Sequence, residues 1–137
     1  VHLALQRATN ADIEALEAHL QAEHAAHTAE QRHEAIRLSG QFHLMLAQIA
    51  NNEIMLRLMK ELVMRTSLII GIYGAPSIGN CRDDEHAQIV AAFRARDAET
   101  AASLMAMHLQ HIEATLNLDR RLDPSVSLLE LFGARGT

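Results

Sequence analysis

The stretch "RLSGQFHLMLAQIANNEIMLRLMKEL", residues 37–62, decides the fold. Two runs with helical spacing flank Asn51-Asn52, and neither alternates apolar and polar residues as a strand would. At about 100° per residue, Arg37, Gln41 and Gln48 share one side of the first run. Phe42, Leu46, Ile49 and Ala50 share the other, and Ser39 and His43 fall among them, one turn apart. A histidine on the oily side of a helix needs a partner, because an imidazole is costly to bury unpaired.

The same period extends outward in both directions. Residues 1–8 read as the tail of a helix. Thr9 caps a second helix, with Asp12 as its reciprocal partner and Ile13, Leu16 and Leu20 as its stripe, out to about residue 27. A third helix covers roughly 30–50 and a fourth about 53–73. "GIYGAPSIGNC", residues 71–81, is a loop. Asp83, Asp84 and Glu85 put negative charge at the start of a fifth helix, which ends near Arg96. Asp97 caps a sixth, running to about 118. The expectation is an all-α, antiparallel bundle of about six to seven helices, the first truncated. Residues 1–118 form its single domain. Residues 119–137 are a tail in which "SVSLLELF", after Pro124, forms a short helix or seeks a partner.

Composition narrows the class. The chain has 137 residues, 49% of them hydrophobic, enough for a real core, and a net charge of −5, which argues against a broad nucleic-acid-binding surface. Its single cysteine, Cys81, excludes an internal disulfide framework and a cysteine-rich zinc site, and fits a reducing cytosol. No signal peptide and no 18-residue apolar run is present, so a cytoplasmic location without membrane contact is expected.

Nine histidines are the oddest feature of the composition. On the fifth helix His86, Ile89, Val90 and Phe93 follow one stripe. On the sixth, Ala101, Leu104, Met105, His108 and Ile112 do, with His108 at the middle. Taken singly, each of His43, His86 and His108 is most simply a core histidine with a hydrogen-bond partner. Three imidazoles at the centres of three stripes suit a divalent metal, zinc or nickel, with a coordination position left open. His2, His19 and His33 read as solvated, and His111 as a second-layer or substitute ligand at the edge of the apolar face. Glu85 points about 100° away from His86 on its own helix, a poor placement for chemistry at that site. Arg65 falls beside Ile54, Leu58, Ile69 and Ile72, read as the buried side of the fourth helix. There it either snorkels out to a carboxylate or faces a pocket for an anion.

These residues resemble a known family as a set. "FHLMLAQIANNEIMLRLMKEL" and "DEHAQIVAAFRARDAETAASLMAMHL" resemble the signatures of the C-terminal domain of GntR-type transcription regulators of the FadR subfamily, the FCD domain. "LALQRATNADIEAL" looks like the same family's early helix pair. The resemblance implies an effector-binding and dimerisation domain behind an N-terminal winged helix-turn-helix, which is expected to lie outside this sequence. It also implies a metal held by an Asp, a His four residues later and two further His. Those His positions are His43, His86 and His108, and the Asp position is Ser39. Some branches of the family bind effector without metal.

The function expected is therefore ligand sensing by a homodimer that reaches operator DNA through its missing domain. The effector is a small carboxylate from central or sugar-acid metabolism, contacting Arg65, Ser39 and His111 near the metal. No catalytic residue is expected. The competing readings are a metal-dependent enzyme in a helical bundle, a metal-free effector domain, and a dimerisation bundle with pH-responsive histidines.

Overall fold

The computed structural model describes residues 1–74, 84–117 and 119. They form six helices: α1 (His2–Arg7), α2 (Asn10–Thr28), α3 (Arg32–Ile49), α4 (Glu53–Tyr73), α5 (Glu85–Arg94) and α6 (Ala98–Ala114). There is no strand among the described residues, so the all-α expectation holds. The loop expected at 71–81 begins later than its glycines imply, because α4 continues to Tyr73. Most of that loop, and the tail after Pro124, lie outside the described residues. None of the helices searched is long and apolar enough to cross a membrane.

Local chemistry sets the helix ends. Thr9 accepts from the Asp12 backbone N–H and the Asp12 carboxylate accepts from the Thr9 N–H, a reciprocal box at the start of α2. Asn52 caps α4 and Asp97 caps α6 in the same side-chain-to-backbone manner. Glu30, Asn51 and Arg96 adopt left-handed backbone (φ 54°, 46° and 58°) and turn the chain back after α2, α3 and α5. After α2, for example, Gln31 N–H reaches Ala26 O and Glu30 N–H reaches His27 O, so the last carbonyls are not orphaned.

Three arginines reinforce the carboxyl ends of α1, α3 and α4. Arg7 donates to Ala50 O (2.6 Å) and Asn51 O (2.8 Å) at the end of α3. Arg32 donates to Ile70 O and Gly71 O at the end of α4. Arg96 donates to Ala8 O (2.5 Å) just past α1. Each of these three helix ends is thus met by a cation on its carbonyl dipoles.

The main core gathers Ile13 and Leu16 of α2, Phe42 and Leu46 of α3, Ile89 and Phe93 of α5, and Ala101 of α6 under the short α1. Helix α4 contributes nothing to that cluster and packs chiefly on α3. Leu56, Met59, Val63, Ser67 and Ile70 are its better-covered positions. The expected burial of the opposite side is corrected here. Ile54 is 66% exposed and Leu58 49% exposed, and only Ile72 of that set is buried. The helix is apolar nearly all round, so periodicity does not single out its core-facing side.

The glycine of "SGQFH" makes the choice. A Cβ on Gly40 would lie 2.7 Å from Val63 Cγ1 and 3.3 Å from Ser67 Oγ, so α3 and α4 touch backbone to side chain. Gly40→Ala gains about 1 kcal/mol of helix propensity. It should nonetheless destabilise the domain net by about 1 kcal/mol, because overpacking against a stiff valine costs roughly 1–3 kcal/mol. Adding Val63→Ala should relieve the loss in a double-mutant cycle read by urea unfolding. A Gly40→Ala protein as stable as the parent would show that the helices do not meet there.

Candidate metal centre

Helices α3, α5 and α6 each turn one imidazole toward a common point. One ligand atom of each of His43, His86 and His108 lies within 4.8 Å of those of the other two. His86 Nε2 and His108 Nε2 are 3.1 Å apart. That is a separation two nitrogens would have if each lay about 2.0–2.1 Å from one ion. The rings are packed as well as pointed. Phe42 stacks on His86 with centroids 4.0 Å apart and planes 20° apart, and the His43 ring sits 5.3 Å from each of the others. His108 is 1% exposed and His86 5% exposed, while His43 is half-buried.

Two carboxylates hold these rings from behind. Glu23 Oε2 is 2.8 Å from His86 Nδ1, and Glu85 Oε2 is 2.8 Å from His108 Nδ1. An ionised carboxylate only accepts, so each Nδ1 carries the proton and donates it. If that is the only ring proton on each, the two Nε2 atoms that face each other are both bare lone pairs. Such a contact is repulsive unless something positive lies between them, a metal ion or a proton. The residues present therefore fit a divalent ion: three imidazoles, two of them oriented by carboxylates, in an apolar shell.

Both carboxylates stay ionised. Burial alone would push the Glu23 carboxyl up, but hydrogen bonds with His19 and His86 outweigh it and hold the group at about 2. Burial likewise opposes ionisation of Glu85, and His111 and His108 together lower it. Burial, reinforced by the neighbouring His86 and His108, depresses His43 to about 3, so it is a neutral imidazole at neutral pH. His108 is also lowered, chiefly by burial and then by His86.

A family comparison matches the FCD domain over residues 1–111. The chain belongs to the FCD domain family. That match agrees with the resemblance to the C-terminal effector-binding domain of GntR-type regulators. No curated protein and no solved structure matches the chain.

Within this FCD domain, the positions singled out by sequence have different fates. His43, His86 and His108 come together. Ser39 lies half-buried one turn before His43, on the wall of an adjoining cavity. Arg65 does not face that cavity: its side chain is 69% exposed and bonds Glu61 at 2.6 Å. His111 is half-exposed and held by Glu85 Oε1 at 2.5 Å, outside the three-nitrogen cluster. Glu85 is not the bystander its wheel position implies, because it reaches across to His108 on α6. An angle around α5 says nothing about what the neighbouring helix brings within reach.

His19 is also not solvated. Its Nε2 donates to Leu38 O at 2.9 Å and lies 3.2 Å from Glu23 Oε1, and the interaction with Glu23 raises its pKa. Glu23 itself escaped the sequence reading, although a signal was present. It continues the α2 stripe of Ile13, Leu16 and Leu20, and a buried carboxylate on an apolar stripe demands a cationic or donor partner.

Two outcomes follow for the purified domain. His43→Ala, His86→Ala and His108→Ala should each sharply reduce divalent-metal uptake by elemental analysis, while exposed His33→Ala should not. Glu23→Gln should weaken metal affinity by about 10- to 100-fold, the usual cost of losing an orienting partner. Equal effects at His33 and His108 would dismiss the site. The second outcome concerns acid. His43 is depressed when folded, so the unfolded chain takes up its proton first. Its contribution is full near neutrality and is lost as pH falls from its ordinary 6.5 toward about 3. Glu23 adds a loss between 4.5 and about 2. His19, raised, contributes with the opposite sign, its share lost as pH rises past its folded pKa. The melting temperature of metal-free protein should fall between pH 6.5 and 4, and His43→Gln should flatten that slope. An unchanged slope in the variant would show that His43 is not buried as a neutral ring.

Proposed function

We propose that this chain is the ligand-sensing and dimerisation domain of a GntR-type transcriptional regulator of the FadR subfamily. In this reading His43, His86 and His108 hold one divalent ion, zinc or nickel. When bound, that ion offers an open position to the carboxylate of a small effector. The observation that carries the reading is the pair of facing Nε2 atoms, each fixed by a carboxylate on its Nδ1. Family membership supplies the regulatory class. Sensing fits better than catalysis because Glu23 and Glu85 are each engaged with a histidine from behind rather than aimed at the ion's open side. The exposed apolar residues of α4, Ile54 and Leu58 among them, support a homodimer. Operator binding is assigned to a winged helix-turn-helix outside this sequence, and the location to the cytoplasm.

The test combines metal, effector and Ser39. Purified protein should take up about one divalent ion per chain. A small carboxylate should then raise the melting temperature, and chelation should abolish the gain. Ser39→Asp places a carboxylate within reach of any ion held by His43. Metal affinity should rise at least tenfold, about 1.4 kcal/mol. Without metal, the same change sets an unpaired carboxylate beside Phe42 and Leu46 and should destabilise the domain. A Ser39→Asp protein that melts alike with and without metal would sink the metal-centred reading.

A further inference from the structure

Because α4 leans on α3 through Gly40 and Val63, it leaves a cavity between α3, α4 and the C-terminal half of α6. The cavity measures about 570 Å³, within the roughly 300–1,000 Å³ typical of small-molecule sites. Of the three clustered histidines it touches only His43, with Ser39 beside it. From there its walls are mainly apolar, formed by Met59, Leu62 and Ile70 of α4 and by Leu109 and Ile112 of α6.

Its charges are as informative as its oil. No lysine or arginine is among the lining residues described, and the titratable ones are His27, His43 and Glu113. Arg65, the cation that sequence offered for an anionic ligand, is turned away to Glu61. With an ion on His43, an acid with two or three carboxylates would find a cationic place there, and among the described lining residues only His27 could offer a second. Its other carboxylates would mostly meet apolar walls or the like charge of Glu113, at a cost in desolvation that a few neutral donors offset only in part. A polyhydroxylated sugar acid would find partners at Ser39, Asn52, Thr66 and Ser67 for some of its hydroxyls and apolar walls for the others.

We propose that the cavity selects a monocarboxylate with an extended apolar tail, its head at the His43 side and its tail between α4 and α6. The inference rests on the metal-centred carboxylate reading above and narrows the effector within it.

Titration calorimetry on the metal-loaded protein tests it. One series runs from acetate through butanoate and hexanoate to decanoate, and the comparison set is succinate, citrate and gluconate. Affinity should climb about three- to fourfold per added methylene until the cavity is filled. Succinate, citrate and gluconate should bind at least tenfold more weakly than octanoate. Leu62→Arg, on the exposed rim of the cavity wall, should lower octanoate affinity at least tenfold and leave metal uptake unchanged. A flat dependence on length, tighter binding of a member of the comparison set, or an unaltered octanoate affinity in Leu62→Arg would overturn the tail preference and leave the carboxylate sensor standing. Failure of every acid to bind a protein that holds its ion would overturn both.

Discussion

Two imidazole nitrogens, His86 Nε2 and His108 Nε2, are held 3.1 Å apart, and much of the interior is arranged around that contact. It persists because Glu23 and Glu85 fix the opposite side of each ring. Glu23 in turn is steadied by His19, whose ring is tied to the Leu38 carbonyl of α3. The chain of contacts runs α2–α5–α6 and back to α3, so four helices take their relative positions partly from polar atoms. Phe42 stacked on His86 shows how the apolar core and the polar cluster share one surface. A polar network of this kind is stabilising only if every member is satisfied. At the two facing Nε2 atoms, a shared proton or a bound cation would complete it.

The fold was largely legible because the signals that define a helix are local. Thr9, Asn52 and Asp97 mark starts, Asn51 and Arg96 mark turns, and the stripes of α2, α3, α5 and α6 have one apolar side each. The three histidines were legible for the same reason: each sits at the middle of such a stripe. What could not be read were contacts between helices that no single wheel contains. Glu85 reaches α6 although it points away from His86 on α5, and Glu23 reaches α5 from α2. Helix α4 was misread because two apolar sides compete and the deciding fact, the missing Cβ of Gly40, belongs to a different helix.

That misreading matters for function. With Arg65 outside and the apolar residues of α4 divided between a cavity wall and an exposed face, α4 borders both the proposed ligand space and the face proposed to meet a second copy. Its anchorage is uneven. The C-terminal end is tied by Arg32 and by the Asn117 N–H on Tyr73 O, whereas the middle rests on the close approach at Gly40. A change in what fills the cavity therefore acts on a helix held at both ends, whose middle rests on one close approach.

Arg7, Arg32 and Arg96 bear on how the domain responds to salt. Exposed pairs such as Glu34–Arg37 and Glu17–Arg94 are charge-to-charge contacts in water, which added electrolyte screens. The three arginines instead donate to backbone carbonyls at the ends of helices, at hydrogen-bond range. Electrolyte has little purchase on contacts so short and partly buried. The helical frame should therefore keep its angles at ionic strengths that erase the surface pairs, and the geometry of the histidine cluster should be insulated from the salt content of the surrounding solution.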